Sequence, residues 1–263
     1  QETKAVVDKL QQHQVQVILD YGVEGGGQNE AAFDHATDEF IRVIDYAATQ
    51  SNIPFMSIKV TGIVRFELLE QIDALMHQAN GKFMARYTHA LNALPADSRE
   101  EWQRCVNRLQ RICAEAASKN VGVLIDAEET WIQDPVDAVT ILMMDSFNRN
   151  RCLVFNTFQL YRHDRLAFLK ISHEAALERG FILGAKLVRG AYMEKERLRA
   201  SEMNYASPIQ PDKATCDRDY NDAVRFCIDQ LKEISVIVAS HNEYSNLLAV
   251  QLLQEKLRVN VAK

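Results

Sequence analysis

The chain has 263 residues, 47% of them hydrophobic and 25% charged, and its 30 basic and 36 acidic residues give a net charge of −6. This composition is that of a globular protein and excludes collagen, low-complexity linkers and intrinsically disordered chains. The sequence contains no basic tract, which argues against nucleic-acid binding, and no apolar run long enough to cross a membrane as a helix.

Short apolar runs typical of buried parallel strands alternate with longer helical patterns. Six strands are predicted, at Val15–Tyr21, Phe55–Val60, Val121–Glu128, Leu153–Phe158, Ile182–Val188 and Ser235–His241. Helices are predicted at Glu30–Thr49, Ser98–Lys119, Asp164–Arg179 and Asp217–Leu231, with a further helix beginning at Pro135. Repeated strand–helix units predict a parallel α/β fold, either an open doubly wound sheet or a closed barrel near its usual length of roughly 250 residues.

A long polar stretch, Glu67–Lys119, separates the second and third predicted strands. It is interpreted as a helical insertion in a single domain that spans residues 1–263. The five cysteines are odd in number and form no C-x-x-C pair, so we expect reduced thiols in a reducing compartment and no metal site. Because the sequence starts at Gln1, we expect the chain to begin inside a longer protein.

Polar residues follow the apolar strands at their carboxyl ends. They are Lys59, Asp126, Asn156 with Gln159, Lys186, and Ser240 with His241. In a barrel all these strand ends face one mouth, where barrel enzymes place their catalytic groups. Arg189-Gly190-Ala191 directly follows the fifth strand, and its glycine lets the backbone approach a ligand closely. Arg162 and Arg165 are interpreted instead as surface or helix-end charges.

The chemistry of these residues leaves several classes of function open. Two strand-borne lysines suit a Schiff-base lyase or aldolase, in which a lysine attacks a carbonyl group. Cations and amides around a pocket equally suit a flavin enzyme. A metal-dependent barrel is less favoured because strand-end carboxylates and histidines are few. A non-catalytic binding barrel is the remaining class.

Several segments closely resemble the motifs of proline dehydrogenases, in the same order and from Leu19–Tyr21 to the C-terminus. They are Lys186–Arg197 (KLVRGAYMEKER), Ile125–Glu129 (IDAEE), Phe155–Gln159 (FNTFQ), Ser207–Lys213 (SPIQPDK) and Ala239–Asn242 (ASHN). Their style is similar to that of the stand-alone enzymes of bacteria and mitochondria rather than the large bifunctional ones.

The resemblance implies a distorted (β/α)8 TIM-type barrel that holds noncovalent FAD. The implied reaction is the oxidation of L-proline to Δ1-pyrroline-5-carboxylate, the first step of proline catabolism. Electrons would pass to a quinone, with peripheral contact to a membrane. The implied compartment is the bacterial cytoplasm, or the mitochondrion in a eukaryote. The resemblance implies neither a nucleic-acid partner nor a particular oligomeric state.

The resemblance also implies a role for each matching residue. Asp126 and Lys186 would be catalytic, while Lys59 and Tyr192 would bind the substrate. Asp20 and Glu24 match acidic residues that act as a gate. The residues implied to bind the cofactor are Ala127, Asn156, Gln159, Lys186, Arg189, Gly190, Ala191, Ser240 and His241.

One part of the family pattern is absent. The last helix of the family carries the pattern Y-L-x-R-R-x-x-E-N, which grips proline, and no segment here matches it. The strand before that helix is expected only as a stub at Val259–Lys263. We therefore expect an incomplete barrel that lacks its C-terminal strand and helix, with residues omitted between Lys256 and Leu257 and after Lys263.

Overall fold

The computed structural model describes residues 2–20 and 29–261 of the chain. Within these ranges the chain alternates strands with one or more helices. The strands are β1 (Ile18–Asp20), β2 (Phe55–Ile58), β3 (Gly122–Ile125), β4 (Val154–Gln159), β5 (Leu183–Val188) and β6 (Ile234–Val238). The α-helices are α1 (Glu2–Gln12), α2 (Glu30–Ala48), α3 (Phe66–Gln78), α4 (Phe83–Ala93), α5 (Ala96–Lys119), α6 (Thr130–Phe147), α7 (Arg165–Arg179), α8 (Met193–Glu202), α9 (Lys213–Asp229) and α10 (Glu243–Val261).

The chain divides into two compact units, Gln1–Phe147 with Leu153–Phe155 and Asn148–Cys152 with Asn156–Lys263. In the first unit β1 pairs with β2 and β2 with β3, and both pairings are parallel. In the second unit the part of β4 from Asn156 pairs with β5, and β5 with β6, again in parallel. The parallel α/β class predicted from the sequence is therefore confirmed in each unit.

Aromatic rings pack against the first residues of β2 and β3 in the first unit. Phe55 at the start of β2 meets Phe155 edge to face, with ring centroids 5.6 Å apart. Gly122 is the residue of β3 that pairs with Phe55, and a Cβ built there would lie 2.3 Å from Phe55 Cδ1. The glycine is required because the phenylalanine ring occupies the space of any larger side chain.

All six predicted strands are present, although β1 is shorter than the pattern suggested. The predicted stretch Glu67–Lys119 consists of the consecutive helices α3, α4 and α5, and α5 follows Pro95 as its N-cap. The interpretation of this stretch as an insertion in a single domain stays a prediction. No helix in residues 2–20 and 29–261 combines the length and apolar character that crossing a bilayer requires.

Two predictions about helix ends are wrong. Helix α6 begins at Thr130 rather than at Pro135, and near its start the side chain of Gln133 accepts a hydrogen bond from the backbone N–H of Glu128. The strand stub expected at Val259–Lys263 is helical as far as Val261, at the end of α10. Valine costs only a few tenths of a kcal/mol in a helix, which a continuing helix offsets.

Of the interpretation of two arginines as surface or helix-end charges, the surface part is wrong, whereas Arg165 is indeed the first residue of α7. Arg162 is 7% exposed and its guanidinium pairs with Asp164 at 2.7 Å. Arg165 is 2% exposed and lies over the ring of Phe168, 4.1 Å from the ring centroid. Their partners Asp164 and Phe168 are close in the sequence, but the burial of both arginines depends on how β4 and α7 pack and is not marked by the local pattern.

Candidate active site

Lys59, Asp20 and Asp126 form an ion cluster at the carboxyl ends of three neighbouring strands in the first unit. The Nζ atom of Lys59 lies 3.7 Å from Asp20 Oδ2 and 3.7 Å from Asp126 Oδ2. Asp20 pairs with Ser57, and Ser57 pairs with Leu124. Because strand side chains alternate with a period of two, Lys59 and Asp126 continue the same face beyond Ser57 and Leu124. The register of β1, β2 and β3 therefore builds the cluster.

The cluster combines an accessible cation with a shielded anion. The side chain of Lys59 is 40% exposed, whereas that of Asp126 is 17% exposed. Ala127, next along the chain, is buried. Asp20 is more open and pairs with Lys59, while Glu24, the other predicted gate residue, lies outside the described residues. The arrangement can receive the carboxylate of a small substrate and keep the lysine oriented towards it.

Glu128 is a buried carboxylate that the sequence analysis quoted in a motif but gave no role. Its Oε2 accepts a 2.6 Å hydrogen bond from the hydroxyl of Thr61, and its Oε1 accepts one of 3.3 Å from the backbone N–H of Thr61. Burial raises the pKa of Glu128 to about 7, although the hydrogen bonds from Thr61 lower it. The signal in the sequence was a second acidic residue directly after a fully buried strand.

The strand register of the second unit places two of the predicted cofactor ligands, Asn156 and Gln159, on opposite faces of β4. Thr157 pairs with Lys186, and Gln159 lies two residues further along β4 on the same face as Lys186. Asn156 pairs with Ala185 and lies on the opposite face. Of the two amides predicted to contact the cofactor, Gln159 is therefore the one whose strand position matches that of Lys186.

Gln159 and its neighbours form a buried polar network. The side chain of Gln159 donates to the hydroxyl of Tyr161 at 2.9 Å and accepts from Arg162 Nη1 at 3.3 Å. The side-chain oxygen of Asn156 accepts from the backbone N–H of Thr157. These contacts fix the orientation of both amides.

Arg189 is held by contacts from helices α9 and α10. Its guanidinium donates hydrogen bonds to Asp217 and Ser245, and it lies over the ring of Tyr220 at 3.9 Å from the centroid. The hydroxyl of Tyr220 donates to the backbone oxygen of Leu187 in β5. The Nε atom of Arg189 is buried and has no hydrogen-bond partner among the described residues.

A cavity of about 690 Å³ opens beside Arg189 in the second unit. Gly190, Ser240 and His241 line it, as predicted for cofactor-binding residues, together with Arg197 and Lys213. A smaller cavity, which shares Gly190 and Arg197 with the first, is lined by Ala191 and Tyr192. Arg197 and Lys213 had no assigned role, although both lie in segments quoted for the resemblance.

Two backbone features shape this cavity. Gly190 has a φ of +67°, a conformation that side-chain-bearing residues adopt at a cost. Helix α10 begins beside the cavity, where Asn242 accepts from the backbone N–H of Ser245 and Ser240 accepts from that of Asn242. An anion at the cavity would meet the start of helix α10 and three cationic side chains, those of Arg189, Arg197 and Lys213, while the carboxylates of Asp212 and Asp217 also lie on the wall.

Parallel strands with cationic and acidic side chains at their carboxyl ends are typical of α/β enzymes. A family model described as proline dehydrogenase matches residues 3–262. The chain belongs to the proline dehydrogenase family.

Curated relatives agree with this assignment, and a solved structure has a similar fold. The chain is 31% identical to a hydroxyproline dehydrogenase of Xenopus laevis over 97% of this chain and 58% of that protein. It is 33% identical to the carbapenem antibiotics biosynthesis protein CarD of Pectobacterium carotovorum subsp. carotovorum, over 98% of this chain and 62% of that protein. A structure of proline utilization A (PutA) from Bdellovibrio bacteriovorus matches with a TM-score of 0.77 at 20% identity, over 98% of this chain and 26% of that one.

The chain thus spans about three fifths of the length of these two relatives. The structural match extends the α/β fold class over nearly the whole chain. The described residues contain six strands, whereas a complete (β/α)8 barrel has eight.

Proposed function

We propose that this protein oxidises L-proline to Δ1-pyrroline-5-carboxylate with a noncovalently bound FAD, as the first step of proline catabolism. The observation that carries the proposal is the half-exposed Lys59 beside Asp126, at the strand ends of a chain in the proline dehydrogenase family. A Schiff-base lyase, the alternative that the sequence left open, finds no support in the family match.

Lys59 is proposed to bind the carboxylate of proline. Its ammonium group is accessible, and a carboxylate ligand would form a charge-assisted contact with it. Asp126 lies 3.7 Å from Nζ and partly balances the charge of the lysine. Orienting the substrate ring in this way lowers the entropic part of the barrier, because the reacting carbon is presented in one geometry. Tyr192, in the second unit, is kept as a proposed substrate contact.

The cavity in the second unit fits a dinucleotide cofactor. Arg197 and Lys213 on its wall would balance the negative charge of a pyrophosphate, and the Nε atom of Arg189 is a buried donor without a partner among the described residues. Gly190 removes the side chain where a ligand would approach the backbone. When bound, FAD would supply the two-electron acceptor that side chains lack.

The remaining residues are proposed to surround that cofactor. Lys186 would supply positive charge beside the flavin ring, and Gln159 would contact its polar edge. Ala127, Asn156, Ala191, Ser240 and His241 are kept as further proposed contacts. The electron acceptor is proposed to be a quinone, reached by peripheral contact with a membrane. The five cysteines are free thiols, which supports a reducing compartment such as the bacterial cytoplasm or the mitochondrial matrix.

Product analysis tests this function. The purified protein is incubated with FAD, L-proline and a soluble quinone analogue, and Δ1-pyrroline-5-carboxylate is trapped as its coloured adduct with o-aminobenzaldehyde. We expect product with L-proline and no covalent adduct on Lys59 or Lys186 after borohydride treatment. A parallel reaction with trans-4-hydroxy-L-proline separates the two substrates. Borohydride trapping of a carbonyl substrate on either lysine, without proline oxidation, would contradict the proposal.

A further inference from the structure

Glu128 connects two loops that carry candidate active-site residues. Its carboxylate accepts both the hydroxyl and the backbone N–H of Thr61, and its own backbone N–H donates to Gln133 Oε1 at 2.8 Å. The residue is only 5% exposed. Thr61 lies two residues after Lys59, and Glu128 lies two residues after Asp126. The contact therefore joins the loop after β2 to the loop after β3.

The turn between Lys59 and Thr61 transmits this contact to the lysine. Residues Val60–Gly62 form a single 3₁₀ turn, in which the backbone N–H of Gly62 donates to the backbone oxygen of Lys59 at 3.1 Å. Val60 and Ile63 are fully buried on either side of Thr61. The backbone of Lys59 thus belongs to a rigid turn. The N–H groups at the start of such a turn have no acceptor within it, and Glu128 accepts from that of Thr61.

The contacts of the Lys59 side chain with its carboxylate neighbours are too long to fix its position. Its two carboxylate neighbours are each 3.7 Å from Nζ, beyond hydrogen-bond range. The direction in which the lysine leaves the backbone must then be set by the turn. We propose that Glu128 is a positioning residue that, through Thr61, holds Lys59 beside Asp126 in the orientation that receives the substrate carboxylate. This inference rests on the proposed function.

The charge of Glu128 adds a second, pH-dependent effect. Its raised pKa of about 7 places its ionisation near neutral pH. The charged groups that act on it are Glu129, which raises this pKa, and Lys59, which lowers it, and Lys59 itself lies 3.7 Å from both Asp126 and Asp20. As pH rises through about 7, a further negative charge develops near Lys59. We expect it to weaken the binding of an anionic substrate, so KM rises with pH.

Two variants separate the position from the charge. Thr61→Val keeps the branched shape and the backbone N–H but removes the hydroxyl, and we expect it to raise KM for L-proline roughly fivefold while kcat changes less than about twofold. In Glu128→Gln the amide oxygen can still accept from the backbone N–H of Thr61, and the amide NH₂ group can donate to the hydroxyl of Thr61. We expect it to retain the KM of the wild-type protein at low pH and to lose the rise in KM above pH 7.

A matched control is Glu101→Gln, another buried carboxylate of the first unit. Glu101 pairs with Arg65 through two hydrogen bonds, of 2.8 and 2.6 Å, rather than with Thr61. We expect it to lower thermal stability and to leave KM and its pH profile unchanged. With an active wild-type protein, an unchanged KM in Thr61→Val, or an equal change in Glu101→Gln, would overturn the positioning role.

Chemical labelling of lysines tests the same contact without requiring enzymatic turnover. The purified variants are acetylated under limiting reagent, and the labelling of Lys59 is measured by mass spectrometry relative to Lys119, a surface lysine paired with Asp45. In Thr61→Val we expect the relative labelling of Lys59 to change at least about threefold, and in Glu101→Gln to stay constant. Unchanged labelling in Thr61→Val overturns the inference even if proline oxidation fails, whereas changed labelling with no proline oxidation overturns only the proposed function.

Discussion

Lys59 has the clearest chemical role among the single residues. It is a half-exposed ammonium group between an exposed and a shielded carboxylate. The sequence predicted its pairing with Asp126 because both residues follow buried parallel strands. Its pairing with Asp20 follows from the register of β1 on β2, which no local pattern specifies.

Replacing Lys59 by methionine tests this role. We expect Lys59→Met to lower kcat/KM for L-proline by roughly 10- to 100-fold, since a hydrogen bond to a charged group contributes about 1.5–3 kcal/mol. Most of the loss should fall on KM, because the carboxylate contact exists before the reaction as well as during it. Steady-state kinetics measure this change. Lys119→Met is the control, and an equal loss there would refute a specific carboxylate contact.

Glu128 illustrates what the sequence could not predict at the residue scale. Its motif, Ile125–Glu129, is recognisable, but its partner Thr61 is 67 positions away. Both residues come together because β2 and β3 are neighbours and their loops leave the sheet side by side. The contact is therefore visible only after the sheet is assembled.

At the scale of elements, local chemistry predicted most strands and helices, and tertiary contacts decided their ends. Helix α7 ends at Gly180 with a φ of +73°, as a C-terminal glycine predicts. Helix α9 begins at Lys213, four residues before the prediction, because Asp212 caps it by accepting from the backbone N–H of Thr215. Helix α6 includes Pro135, and the side chain of Gln133 in the same segment bonds both the backbone N–H of Glu128 and the carboxylate of Asp137.

The contact between β2 and β3 leads to a stability prediction. We expect Gly122→Ala to lower the free energy of unfolding by about 1–3 kcal/mol, because its Cβ would overlap the ring of Phe55. Urea unfolding followed by circular dichroism measures the change. In a Phe55→Leu background the same substitution should cost clearly less, since the smaller side chain leaves room. An equal cost in both backgrounds would show that the ring is not responsible.

His77 makes two ionic contacts that should respond to pH, one within α3 and one between α3 and α6. His77 Nε2 in α3 lies 3.3 Å from Asp73 Oδ2 in the same helix and 3.9 Å from Asp134 Oδ2 in α6. The hydrogen bond to Asp73 is the main reason why the pKa of His77 is raised. The protonated form is thus favoured in the folded state. Its stabilisation is complete below the unfolded pKa of about 6.5 and is lost as pH rises through the higher folded pKa.

Comparison of the wild type with His77→Gln measures this effect. We expect the wild type to be more stable at pH 5.5 by less than about 1 kcal/mol, since the histidine side chain is 62% exposed and solvent screens the pair. The difference should shrink by pH 8.5. In an Asp73→Asn background the pH dependence should largely vanish. A stability difference that grows with pH would contradict the assignment.

At the scale of the whole molecule, the sequence predicted the parallel α/β class, the six strands and the family. The strand stub at the C-terminus was wrong because its valines continue α10. The division into two compact units was not predicted, since no composition change marks it. The chain crosses between the units three times, after Phe147, after Cys152 and, within β4, after Phe155, so no single linker marks the division in the sequence.

The two candidate sites belong to different units, and each has its own chemistry. The first unit carries the Lys59 cluster, and the second carries the cavity beside Arg189. A proline oxidase requires both an amino-acid site and a site for the electron acceptor. A measurement that reports on both at once is therefore the strictest test of the proposed function.

That measurement is the flavin absorbance of the purified, FAD-loaded protein during anaerobic addition of L-proline. The account predicts that the flavin bands bleach with saturating dependence on proline, and that Lys59→Met requires far more proline for the same bleaching. Dithionite provides the control for complete reduction. Flavin that dithionite reduces but that no concentration of proline bleaches would contradict the central claim that this protein passes electrons from proline to a flavin.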